Sequence, residues 1–397
     1  MTSIIHGSTL VTNSLIERRG APVGMLVTRG FRDVLDIALE TRYDLYDLRI
    51  QLPQPLVPRN MRIEIDERVR ADGSVDKRLD TAQIDAAVDR LVADGAASIA
   101  VCFLHAFTNG AHEATAVERI RERHPGIYVS ASADIFPFMR EYERWTTTTM
   151  NAFTQPVVDR YLSRIEKGLQ ERGFGGLLHI MTSSGGTVTA GIARRYPVRM
   201  LESGPAAGVL MSTFHGRALG LNRLLSYDMG GTTAKGAIVR DGEPLKKYEI
   251  EVARIHEFKK GSGLPAKIPV LNMIEIGSGG GSIAELDSRG VIRVGPRSAG
   301  AEPGPACYGR GGDRPTLSDA NLLLGYYDPD HFLGGKMKLD PAAAERVIRR
   351  DIAEPLGLDV ARAAFGIHEV VNEDVARAFR VHASEQGFDY RSACMVA

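Results

Sequence analysis

The stretch Asp228-Met229-Gly230-Gly231-Thr232-Thr233-Ala234-Lys235 concentrates more reactive chemistry than any other part of this chain. An apolar run at 224–227 precedes it, and Gly236-Ala237-Ile238-Val239 follows. This pattern predicts two strands joined by a glycine hairpin, with a further turn at Asp241-Gly242. A phosphate loop of the strand-to-helix kind would end in Gly-Lys-Ser/Thr, which is absent here. Glycines let backbone N–H groups come close to phosphate oxygens. Thr232 and Thr233 add hydroxyl donors, and Lys235 adds a positive charge. Asp228 is placed to hold Mg²⁺ directly or through water. A carboxylate at the end of a buried strand needs a compensating partner, and such an ion supplies one. The competing reading is an ordinary Gly-Gly hairpin carrying an Asp, with Lys235 a solvated strand residue.

Other candidates are less specific. Gly279-Gly280-Gly281 would let backbone approach a nucleotide or substrate, or is simply a flexible approach to a hairpin. Ser203-Gly204 opens a helix and could offer N–H groups to an anion, although an N-cap explains it as well. His105 and His112 flank the end of an apolar strand and are read as structural. Ser183-Ser184-Gly185-Gly186 lacks the Gly-x-Ser-x-Gly of a nucleophile elbow, which excludes a serine hydrolase.

The elements that must position these residues follow an α/β order. Strands are expected at 23–28, 98–104, 127–130 and 177–181. Helices are expected at 80–94, capped by Asp80 with Ile84, Val88, Leu91 and Val92 inward, and at 112–123. Continuous apolar strands alternating with helices predict a partly parallel sheet. Residues 140–173 read as helical, with Pro156 opening a second helix. Residues 42–59 read as an extended excursion and 254–315 as irregular and glycine-rich, with a hairpin at Ser288-Arg289-Gly290. Long irregular stretches tend to be functional. Helices are expected again at 203–219, 341–352 and 360–384.

At 397 residues the chain exceeds one ordinary core, so two domains are expected. Lys+Arg and Asp+Glu are equal at 49 each, which gives no electrostatic ground for nucleic acid or an anionic membrane. The longest apolar run, near 96–107, falls short of the ~20 residues of a spanning helix. No signal-peptide pattern opens the sequence. Cys102, Cys307 and Cys394 are odd in number and widely spaced, as for free thiols in a reducing cytoplasm.

Taken in order, several motifs resemble the hydantoinase A / 5-oxoprolinase family across essentially the whole chain. They include His6-Gly7-Ser8-Thr9, Gly30-Phe31-Arg32-Asp33, Tyr43-Asp44-Leu45-Tyr46-Asp47, Arg140-Glu141-Tyr142-Glu143-Arg144 and Ser203-Gly204-Pro205-Ala206. The second half adds the Asp228 hairpin, Gly279 to Ala284, Pro303-Gly304-Pro305-Ala306-Cys307-Tyr308-Gly309 and Thr316-Leu317-Ser318-Asp319-Ala320-Asn321. The hairpin itself resembles the phosphate-binding turn of actin, Hsp70 and sugar kinases.

The resemblance implies an actin-like ATPase fold of two ribonuclease-H-like domains, here incomplete. One would be an N-terminal domain at 1–134 and the other an ATPase domain at 135–397. It implies ATP and Mg²⁺ as cofactors, with Asp228 as metal ligand and catalytic residue. Gly230, Gly231, Thr232, Thr233, Lys235, Gly279, Gly280, Gly281, Ser203 and Gly204 would contact the nucleotide. His6 becomes a catalytic candidate because it lies in a family motif. The implied reaction is opening of a cyclic amide or imide, of the 5-oxoproline or hydantoin type, by phosphorylation of the amide oxygen. The implied partner is a larger hydantoinase B-type subunit in a cytoplasmic hetero-oligomer. The alternatives are a nucleotide-handling subunit of an ATP-dependent ketone carboxylase and a non-catalytic nucleotide-binding fragment. Against the family pattern, the chain is expected to lack the first Asp-x-Gly-Gly-Thr hairpin and a C-terminal Gly-Gly-Ala-Gly segment. Many members also have Thr-Ser-Thr-Asp or similar where this chain has Thr232-Thr233-Ala234-Lys235.

Overall fold

In the computed structural model, residues 2–255 and 259–397 are described. Met1 lies outside them, as do residues 256–258 of the glycine-rich stretch 254–315. The chain forms two compact units, the first of residues 1–207 and 246–271, the second of residues 208–245 and 272–397.

The first unit is built on a four-stranded parallel sheet. Its order is Arg62–Ile65, Val23–Thr28, Ser98–Cys102 and Tyr128–Ala131. Every residue of Val23–Thr28 and of Ser98–Cys102 is buried, which explains their largely apolar sequences. Helix Thr81–Ala93 begins where the Asp80 carboxylate accepts the Ala82 N–H at 3.0 Å. It buries Ile84, Ala87, Val88 and Leu91. Helix Ala111–Arg123 provides the next crossover, and residues 38–58 contain no helix or strand. A second sheet pairs Ser3–His6 parallel to Leu177–Met181, which in turn pairs antiparallel with Thr187–Thr189.

Two expectations are corrected. Pro156 does not open a helix; it lies inside one continuous helix, Glu141–Glu171. An interior proline costs about 3 kcal/mol, but residues 143–154 are buried on every side and keep the helix intact through it. Thr154 contributes by bonding its hydroxyl to the Met150 carbonyl at 2.7 Å. Packing of this helix against Ser98–Cys102 and Tyr128–Ala131 places residues 135–207 in the same unit as residues 1–134. The stretch 254–315 is also less irregular than expected. It contains strands Leu264–Ala266, Val270–Leu271, Met273–Ile276, Ser282–Leu286 and Ile292–Ser298. Their brevity and interspersed glycines hide the strand period.

A buried polar network sits at the end of the parallel sheet. Arg144 is fully buried and donates to the carbonyls of Phe103 at 3.0 Å and Phe138 at 2.9 Å, and to Ser132 Oγ at 3.1 Å. Glu113, equally buried, accepts from the Phe103 and Ala133 N–H groups and the Ser132 hydroxyl, each at 2.7 Å. Burial pushes its carboxyl up to about 7. His112 Nδ1 lies 2.7 Å from the buried Glu67 carboxylate, which also takes the Thr28 hydroxyl. The reading of His112 as a structural group agrees with this pairing.

The second unit centres on a five-stranded sheet. Strand Leu224–Met229 lies between Ala234–Arg240, antiparallel, and Cys394–Val396, parallel. Ala234–Arg240 also pairs with Met273–Ile276 and Glu243–Pro244. Helix Val360–Glu385 covers this sheet through Phe379 and Ala383. Parallel and antiparallel pairing both occur among the sheets, and the fold class is α/β.

Candidate functional site

Strands Leu224–Met229 and Ala234–Arg240 meet in a tight hairpin. Asp228 faces Lys235 across the ladder, and the Gly230 N–H donates to the Thr233 carbonyl at 3.0 Å. The Gly279–Gly281 run lies directly against this turn. Gly280 N–H donates to the Gly230 carbonyl at 3.0 Å, and Gly281 N–H to the Gly231 carbonyl at 2.7 Å. The approach is backbone to backbone: a Cβ on Gly279 would sit 2.6 Å from Thr232 N and C. The two glycine runs, well separated in sequence, thus form one surface within the second unit.

This docking consumes the Gly230 and Gly231 carbonyls and leaves the N–H donors that follow Gly230. Among the described residues, the N–H groups of Gly231, Thr232 and Thr233 donate to no protein acceptor. Nor do the Thr232 and Thr233 hydroxyls make a hydrogen bond among the described residues. Successive free N–H groups of this kind form an anion-binding concavity. Gly231 has open space where a Cβ would stand, and its φ lies outside the left-handed region. Nothing inside the fold requires glycine there, whereas close approach of a ligand would.

These contacts separate two roles for glycine. Gly279→Ala is expected to lower stability by about 1–3 kcal/mol, because the Thr232 backbone must move. Gly231→Ala should stay within about 0.5 kcal/mol of wild type. Thermal unfolding of both variants checks this, and equal losses would refute it.

Asp228 departs from expectation. Its strand is buried at Leu224, Leu225 and Ser226, but Asp228 itself is exposed. Solvent therefore already compensates its charge, and burial gives no argument for a metal. Lys235 departs too. Its side chain is only 18% exposed and lies 2.5 Å from Glu275, its neighbour on the next strand. It is no solvated strand residue. It sits in a row Asp228, Lys235, Glu275 across three strands, a cation between two carboxylates.

His6, Ser203 and Gly204 come together in the first unit. The buried Ser203 hydroxyl accepts the Ser8 N–H at 3.2 Å and donates to the Ser8 carbonyl at 2.9 Å. It fastens the His6-Gly7-Ser8 loop to the start of helix Ser203–Ala218 and is spent in doing so. His6 Nε2 lies 2.8 Å from the Tyr161 hydroxyl, and partial burial lowers its pKa, favouring the neutral ring.

Ser318 escaped assignment from sequence. Its N–H donates to the Gly280 carbonyl at 2.7 Å, and its Oγ would be 2.9 Å from a Cβ on Gly280. The readable signal was Thr316-Leu317-Ser318-Asp319, a Thr-x-x-acid pattern of the capping-box kind.

The fold is α/β, and it carries a glycine turn whose N–H donors are unspent among the described residues. The sequence matches the hydantoinase/oxoprolinase N-terminal region over residues 1–124 and the hydantoinase/oxoprolinase family over residues 144–397. The chain belongs to the hydantoinase/oxoprolinase family. An uncharacterised protein of Methanocaldococcus jannaschii is 37% identical over 398 residues, covering 99% of this chain and 58% of that protein. The caprolactamase subunit alpha of Pseudomonas jessenii is 37% identical over 394 residues, covering 99% and 55%. The crystal structure of the ATP-dependent caprolactamase from that organism superposes with a TM-score of 0.83 at 36% identity, covering 98% of this chain and 56% of that one. A nucleotide-free acetone carboxylase structure gives 0.77 at 29% identity, covering 98% and 55%. The chain spans about half the length of the relatives it matches.

Proposed function

We propose that this chain is the nucleotide-handling part of an ATP-dependent cyclic amide hydrolase. The observation that carries the reading is the Gly231-Thr232-Thr233 turn, with its N–H donors unspent among the described residues and the Gly230 and Gly231 carbonyls held by the Gly280 and Gly281 amides. A terminal phosphate supplies the acceptors those donors need, and the bonds strengthen as negative charge develops on the transferred phosphoryl group. Mg²⁺ fits the donors present. Asp228 offers one carboxylate and Thr232 and Thr233 offer hydroxyls, while Mg²⁺ ordinarily keeps waters and phosphate oxygens as its other ligands. Among the described residues, no group of three or more His, Cys, Asp or Glu forms a cage of another kind. When bound, the ion supplies charge neutralisation at the phosphate.

In this reading the amide oxygen attacks the γ-phosphorus and the bond to the ADP oxygen breaks. Water then adds to the carbon of the O-phosphorylated imidate, the C–N bond breaks so that the ring opens to an amine and an acyl phosphate, and a second water hydrolyses the acyl phosphate to carboxylate and phosphate. His6, in the first unit, is kept as a separate catalytic candidate with its ring neutral. Likeness to caprolactamase supports a lactam or imide substrate. Relatives named as alpha, beta and gamma subunits support a hetero-oligomer, with a larger hydantoinase B-type subunit as partner. An actin-like ATPase architecture and a cytoplasmic location complete the proposal. Likeness to acetone carboxylase favours one second reading, activation of a ketone for carboxylation.

The test is phosphate release by the assembled protein with Mg²⁺ and ATP, in the presence of caprolactam, 5-oxoproline or a hydantoin, and separately of acetone with bicarbonate. Stimulation by a cyclic amide is expected. Stimulation by the ketone only with bicarbonate would establish the second reading. ATP binding without turnover would leave a nucleotide-binding fragment, and no ATP binding would overturn all three.

A further inference from the structure

The Gly279–Gly281 run has no side chains with which to hold itself against the turn, so something else must set its position. Asp319 is fully buried, and its carboxylate is saturated with donors. One oxygen accepts the Cys307 N–H at 2.7 Å. The other accepts the Thr316 N–H at 2.9 Å, the Thr316 hydroxyl at 2.7 Å and the Ala306 N–H at 3.3 Å. Thr316 returns the contact by accepting the Asp319 N–H at 3.3 Å, which closes a capping box at the start of helix Leu317–Leu323. Ser318, between them, is the residue whose N–H holds the Gly280 carbonyl. The Pro315 carbonyl also accepts the Ala284 N–H at 2.8 Å, just beyond the glycine run. A helix cap alone needs one acceptor. This carboxylate takes four donors from two separate segments, and one of those segments touches the candidate phosphate turn through Ser318 and Gly280.

We propose that Asp319 is a positioning residue for the candidate nucleotide site. It locks Thr316-Leu317-Ser318 to the Ala306-Cys307 segment, so that Ser318 holds Gly280 and Gly281 in register against the Gly230 and Gly231 carbonyls. Those two carbonyls are thereby kept away from the phosphate, beside the unspent N–H groups of Gly231, Thr232 and Thr233. The inference rests on the reading of Gly231-Thr232-Thr233 as a phosphate site, but the register it describes is measurable without nucleotide.

Asp319→Asn removes one acceptor from the network at nearly constant volume, and Thr316→Val removes the hydroxyl partner. Thr316→Ser keeps that hydroxyl. The readouts are hydrogen exchange at the Gly281 N–H, ATP affinity by calorimetry with Mg²⁺, and thermal unfolding. Asp319→Asn and Thr316→Val should speed exchange at Gly281 while exchange within strand Leu224–Met229 stays unchanged. Both should weaken ATP binding about 10-fold, in line with the loss of one buried acceptor. Thr316→Ser should behave as wild type in both. A lower melting temperature with unchanged Gly281 exchange and unchanged ATP affinity would make Asp319 a stability residue and overturn the proposal. If Asp319→Asn does not fold, the Thr316 pair decides the matter alone. If wild type binds no ATP, the site reading fails while Gly281 exchange still decides the positioning role.

Discussion

Asp228→Asn, made in the assembled enzyme, should keep the fold and lose most ATP turnover. The side chain is exposed and makes no hydrogen bond among the described residues, so the near-isosteric change should alter stability by less than about 0.5 kcal/mol. What it removes is the carboxylate that opens the hairpin carrying the unspent donors of Gly231, Thr232 and Thr233. Losing a well-placed electrostatic contributor typically costs on the order of 3 kcal/mol, or ~100-fold in rate. Lys235→Ala should cost less turnover, because that ammonium is already engaged with Glu275. Steady-state phosphate release at saturating Mg²⁺ and lactam, beside thermal unfolding of each variant, makes the comparison. Near-normal turnover in Asp228→Asn with abolished turnover in Lys235→Ala would reverse the two roles.

Arg144→Leu should destabilise the fold more than any of the glycine or Asp228 substitutions. The guanidinium satisfies the Phe103 and Phe138 carbonyls and Ser132, and it opposes the buried Glu113 charge. Removing one member of such a buried charged network costs about 3–5 kcal/mol. The cost should depend on pH. Burial already raises the folded-state pKa of Glu113 from 4.5 to about 7. A raised carboxyl favours the folded state fully below its unfolded pKa, and that advantage fades as pH rises towards the folded pKa. Arg144 holds the folded pKa down, so its loss pushes that value higher and extends the loss of stability to higher pH. The destabilisation should therefore be larger at pH 8 than at pH 5. Urea unfolding at both pH values tests this. A change below about 0.5 kcal/mol at pH 8 would show that the network contributes little.

Much of the local structure was written in the sequence. Val23–Thr28 and Leu177–Met181 were legible because nearly every residue is apolar, and Asp80 announced its helix by its type and place. The Asp228 hairpin was legible for the same reason, as a polar glycine turn between two apolar runs. The resemblance to the family was also carried by short motifs in fixed order. Pro156 shows the limit of local reading. A proline signals a helix start, yet the burial of residues 143–154 outweighed it, and that burial depends on packing against strands such as Ser98–Cys102, far back in the chain. The stretch 254–315 misled because short strands broken by glycine show no period.

At the candidate site, the residue types are a property of the amino-acid order: glycines for close approach, threonines for donors, and one carboxylate. Which groups remain available there is a property of the folded chain. Folding turned the Gly230 and Gly231 carbonyls towards the Gly280 and Gly281 amides, spent the Ser203 hydroxyl on Ser8 and engaged Lys235 with Glu275. It also left Asp228 in solvent. The first three outcomes are contacts between residues distant in the chain. Donors and acceptors carry no label of their eventual partners in a linear sequence, so only the fold shows that the second glycine run takes the Gly230 and Gly231 carbonyls while the N–H groups of Gly231, Thr232 and Thr233 stay unspent among the described residues.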